Sequence, residues 1–155
     1  MPRGEQFNDY WKKIFSLVSH LNGQGRKVFW QEALQIIHKF PILGAGLNTY
    51  TKIIEQSKMQ WVAYPHNCYL QMAAEIGTVG LLAFVWILFR LFFSVIANLP
   101  NVSDRFLNTV LVGFSAGLFG FLSHSFVDTN FYSVQLGNLL WVVMAVIMAI
   151  PRLDK

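Results

Sequence analysis

The stretch TVGLLAFVWILFRLFFSVIANL, Thr78–Leu99, decides the fold class. Its only charge is Arg90, and its length suits a helix crossing the roughly 30 Å of hydrocarbon in a bilayer. Two more such runs follow: LNTVLVGFSAGLFGFLSHSFV, Leu107–Val127, and the shorter VQLGNLLWVVMAVIMAI, Val134–Ile150. Backbone polar groups in lipid must find partners within the segment, so all three are expected to be helices. Residues 78–150 carry four charges, Arg90, Asp104, Arg105 and Asp128, whereas residues 1–65 hold eight of the twelve Lys/Arg and four of the eight Asp/Glu. The expected class is all-α: a polytopic membrane protein fragment, with a helical segment over 1–77. Three transmembrane helices at about 78–99, 107–127 and 134–150 follow within 78–155.

Composition agrees. The chain is 54% hydrophobic and 13% charged, against about 25% charged in ordinary soluble domains. One cysteine, Cys68, excludes an internal disulfide and any CxxC metal site. A net charge of +4 without an arginine-rich tract argues against nucleic acid as a partner. Lys12 and Lys13 interrupt the start of the chain, where no apolar run is long enough for a secretory signal.

Charge also gives orientation. Arg105 lies in the 98–106 connection, with Arg90 placed to snorkel toward it, and Arg152 and Lys155 follow the last span. The 128–133 connection has no Lys or Arg. Basic residues mark the cytoplasmic side, which leaves residues 1–77 outside. A long outer segment with no span or signal before it has no evident route across the membrane, and three helices make a thin bundle. Both points lead to the expectation of a C-terminal part of a larger membrane protein, or a truncated product.

The outer segment reads as short helices joined by turns. RKVFWQEALQIIHKF sets Phe29, Ala33, Ile36, Ile37 and Phe40 at helical spacing, and Pro41 ends it. This amphipathic helix suits a membrane surface or packing against the spans. Gly44-Ala45-Gly46 reads as a glycine turn, too short of the pattern for a phosphate loop. TYTKIIEQSKMQ is a second helix, and CYLQMAAEI, capped by Asn67, a third that runs into Gly77.

Few residues here carry chemistry. His66 is either a base that takes a proton from a hydroxyl acceptor, or a turn histidine bonded to backbone. Arg26 at a helix start, with Lys27 beside it, suits phosphate oxygens, the alternative being a solvated helix end. His124 and Asp128, four apart near the outer end of the second span, are expected to share a helix face and to pair or line a cavity. No group of acidic, His or Cys residues has metal-ligand spacing, so neither a metal nor any other cofactor is expected.

Taken in order, GRKVFWQEALQIIHKFPILGAGLNTY, HNCYLQMAAEIGTVGLLAF and SHSFVDTNFY resemble the C-terminal part of the bacterial O-antigen ligase and polysaccharide polymerase family, over about Gly25–Ile150. The resemblance implies a multi-pass inner-membrane glycosyltransferase with a periplasmic loop. Such an enzyme moves a glycan from undecaprenyl diphosphate onto an acceptor such as lipid A core, in lipopolysaccharide or surface polysaccharide biosynthesis, without metal. It further implies His66 as the base and Arg26 as the grip on the diphosphate, to which Lys27, adjacent in sequence, adds local charge. The family's earlier spans and at least one more arginine lie outside this sequence. One preorganised donor is worth about 2.7–4 kcal/mol in the transition state, so this chain alone is expected to be inactive without a partner supplying the rest. A polymerase differs only in acceptor. The competing class is a transporter or scaffold fragment, with His124, Asp128 and Arg90 lining a pathway or bracing helices.

Overall fold

The computed structural model describes residues 24–56 and 64–154. Lys12, Lys13, Lys155 and the far end of the second expected helix, 57–60, lie outside them. The elements are α1 (Gln24–Lys39), α2 (Tyr50–Gln56), α3 (Cys68–Asn98), α4 (Arg105–His124) and α5 (Val134–Leu153). Short 3-10 turns at Leu99–Asn101 and Asn130–Tyr132 precede α4 and α5. No strand occurs among the described residues, and α3, α4 and α5 are each long and apolar enough to cross a membrane.

The residues of the expected helical stripe Phe29, Ala33 and Ile36 are buried in one cluster with Tyr50 and Ala74. Helix α1 therefore packs on α2 and on the first turns of α3, while Phe40 at its end stays exposed. The Tyr50 hydroxyl donates to the Phe29 carbonyl at 2.9 Å and ties α2 to α1. Burial, then the nearby Glu32, push that phenol well above its ordinary range, so it remains a donor.

Helix α3 is broken at Gly77, where φ is +73° and ψ −179°, a conformation that only glycine adopts without strain. A break in a helix strands carbonyls before it and N–H groups after it. The Pro41–Gly46 loop supplies both sets of partners. Ala45 and Gly46 donate to the Ala74 and Glu75 carbonyls at 2.9 Å each. The Pro41 and Ile42 carbonyls accept from Thr78 and Val79 at 2.9 and 3.3 Å. The backbones approach so closely that a Cβ on Gly44 would collide with the Glu75 carbonyl, and one on Gly77 with that of Ile42. The glycines of Pro41–Gly46 and the Gly77 that follows Glu75 thus serve a single lock between a loop and a helix break.

Beyond the break, Phe84, Leu91 and Val95 of α3 meet Leu111, Leu118 and Leu122 of α4 and Leu140, Met144 and Ile147 of α5 in one apolar core. Outside that core, Leu82, Trp86, Phe89, Phe93 and Ile96 recur at helical spacing on α3 and are exposed. So wide an apolar face belongs in lipid, and the molecule is a membrane protein. At one end of the bundle the Asp154 carboxylate accepts from the Ser103 and Asp104 N–H groups and the Ser103 hydroxyl. These bonds hold its pKa below the ordinary range. They also tie down a last turn of α5, which runs past Pro151 to Leu153, beyond the expected end at Ile150.

Candidate functional site

The opposite end of the bundle carries the Pro65-His66-Asn67 turn. His66 has a φ of +45°, unusual for a residue with a Cβ, so the turn must be held from outside. It is held by three neighbours. The Trp30 indole donates to the Pro65 carbonyl at 2.7 Å. The Asn67 side chain caps α3, accepting from Tyr69 and Leu70 at 3.0 Å each. The Cys68 N–H donates to the Ser125 carbonyl at 2.9 Å and its thiol to that of Asp128 at 3.1 Å.

The last contact brings the segment after α4 against His66. His66 Nδ1 lies 3.7 Å from the Asp128 carboxylate, both side chains being about half exposed, at 41% and 46%. The Asp128 carboxylate thus faces the Nδ1 side of the ring and leaves Nε2 turned away from it. The separation is longer than a direct hydrogen bond.

This pairing differs from the sequence expectation. Helix α4 ends at His124, with Ser125 as its C-cap, so Asp128 does not share a helix face with His124. The helix can stop there because the Tyr69 hydroxyl takes the Leu122 carbonyl at 2.8 Å and Cys68 takes that of Ser125. Asp128 turns to His66, while His124 Nδ1 pairs with the Asn130 amide at 2.9 Å.

Arg26 and Lys27 are exposed on the first described turn of α1. Arg26 is one helical turn, about 6 Å along the axis, from Trp30, whose indole holds the His66 turn. Arg26 thus lies on the helix whose Trp30 holds the His66 turn, while no contact joins the two side chains among the described residues.

Glu75 is the residue that sequence reasoning passed over. Its side chain is 1% exposed and accepts from the Asn48 and Tyr50 N–H groups at 3.0 and 3.4 Å and from the Gln71 amide at 3.3 Å. Burial, then the Glu75 carboxylate beside it, push the Tyr132 phenol far above its usual range. The signal was present: a lone carboxylate in an apolar run two residues before a glycine. Through Tyr50 and Phe29, Glu75 fixes where α1 sits against α3. Trp30→Phe, which keeps the ring and removes the donor, is expected to cost about 1 kcal/mol, seen as a drop of a few degrees in thermal unfolding in detergent.

An all-helical membrane protein with a strained, carboxylate-paired histidine turn at one end of its spans is the class that fold and site define. A family model described as O-antigen ligase matches residues 8–85, half of the chain, and the protein belongs to that family. Neither the comparison with curated proteins nor that with solved structures gave a match.

Proposed function

We propose that the His66 end of the bundle performs glycan transfer from undecaprenyl diphosphate to an acceptor hydroxyl, on lipid A core for a ligase, at the periplasmic face of the bacterial inner membrane. The observation that carries this reading is the His66–Asp128 pairing at 3.7 Å, in a turn pinned to the helix that bears Arg26. Nε2 of His66 takes the proton of the acceptor hydroxyl as its oxygen attacks the anomeric carbon. The bond to the diphosphate breaks on the opposite face, its electrons going to the leaving oxygen, and the sugar inverts. Asp128 steadies the imidazolium, and Arg26 with Lys27 offsets the charge gathering on the diphosphate. Arg105 and Arg152 at the Asp154 end support a cytoplasmic placement of that end, hence a periplasmic one for His66. A polymerase would run the same steps on a different acceptor. His124, exposed and paired to Asn130, has no part in them.

The test is transfer from undecaprenyl diphosphate-linked glycan in membranes carrying the protein, at matched amounts, together with a partner that supplies the family's earlier spans. Asp128→Asn is expected to lower the rate about 10- to 100-fold, and to cost nothing further in a His66→Ala background, because Asp128 acts through the ring. Arg26→Ala is expected to cost about 100-fold, with Arg26→Lys keeping part of the activity as a point charge without the planar fork. Unchanged rates in all three variants would remove this end of the molecule from the reaction.

A further inference from the structure

The loop from Phe40 to Leu47 is built the reverse of a water-facing turn. Its polar groups point inward: Gly44, Ala45 and Gly46 donate to the Phe40, Ala74 and Glu75 carbonyls, Thr49 to that of Gly46, and Asn48 and Tyr50 to the buried Glu75 carboxylate. Its apolar side chains point outward, with Ile42, Leu43 and Leu47 exposed by 63%, 76% and 77%. In water this arrangement wastes both sets of groups. In lipid it is required, because no solvent is there to satisfy a free N–H.

The hydrogen bonds to the helix break also fix the height of this loop. The Pro41 and Ile42 carbonyls accept from Thr78 and Val79, so the loop lies level with the first turn of the helix beyond Gly77. From Thr78 to Asn98 that helix measures about 31 Å, the thickness of the hydrocarbon layer. Ile42 therefore stands at the boundary of the acyl chains, or below it if the span starts earlier in α3. The loop surface is continuous with the lipid-facing helices, since Leu47 lines a groove of about 390 Å³ with Ile76, Gly80 and Ala83 of α3 and Trp141 of α5. Exposed His38 and Lys39 end α1 beside it, where the Lys39 charge suits phosphate headgroups.

We propose that Ile42, Leu43 and Leu47 are embedded in the acyl-chain boundary of the leaflet at the His66 end, as a lipid anchor for the C-terminal end of α1. The anchor follows from the membrane reading of α3 and is independent of the transfer chemistry, so either can fail without the other.

Single variants Ile42→Cys, Leu43→Cys and Leu47→Cys, each labelled with bimane in phosphatidylcholine–phosphatidylglycerol vesicles, test it, with the parent protein and its buried Cys68 as blank. Lipids spin-labelled high on the acyl chain are expected to quench these labels at least about threefold more than aqueous iodide does. Stronger quenching by iodide would overturn the anchor, and so would protection from both quenchers at all three positions, which would mean that protein covers the loop.

Discussion

Gly77→Ala is expected to destabilise the protein by about 4 kcal/mol or more, enough to remove most folded protein from the membrane. Two costs combine. A residue with a Cβ at this φ and ψ carries about 1–3 kcal/mol of backbone strain, and forcing atoms into a filled space costs about 1–3 kcal/mol more. Here the space is filled by the Ile42 carbonyl, which cannot swing aside as a flexible side chain would. If the loop retreats instead, the four backbone hydrogen bonds that stitch Pro41–Gly46 to Ala74–Val79 are lost, and their partners sit where water is scarce. Gly44→Ala meets the Glu75 carbonyl from the other side of the same lock and should behave alike. Gly113→Ala is the control. That helical glycine has open space around it, so alanine should be neutral or stabilising by up to about 1 kcal/mol. Thermal unfolding in detergent, with the amount of protein recovered from membranes, separates the three.

His66→Ala is expected to lower glycan transfer about 100- to 10,000-fold, the range for removing a positioned general base. The loss should fall on the reaction and not on the fold. His66 is about half exposed, and the bonds that hold its turn run through Pro65, Asn67 and Cys68, all of which remain. Alanine at a positive φ adds modest strain, so the variant should melt within a few degrees of the parent. Added imidazole that restores part of the rate would mark the missing group as a proton acceptor.

Much of this architecture was legible in the residues because lipid is a strict solvent. Apolar runs of spanning length leave few alternatives, and Asn67 and Pro41 mark a helix start and a helix end by mechanisms local to the chain. Helix ends set by distant partners were less legible. The second span was read to Val127, yet α4 stops at His124 because Tyr69 and Cys68, more than fifty positions away, take its last carbonyls. The pairing of His124 with Asp128 fails for the same reason: the four-residue spacing holds only while the helix continues. The candidate base was visible as a titratable ring beside a membrane run, but its Asp128 partner depends on a contact across 62 positions that no local pattern encodes. Glu75 was hidden differently. A buried carboxylate is intelligible only once its donors are known, and these come from a loop some 25 residues earlier.

The most direct test compares His66→Ala with His124→Ala, at equal protein amounts and complemented by a partner carrying the earlier spans, in transfer from undecaprenyl diphosphate-linked glycan. The proposed chemistry requires background rates for the first and rates within a few fold of the parent for the second. Full transfer by His66→Ala together with loss in His124→Ala would contradict it and move the base to the other histidine.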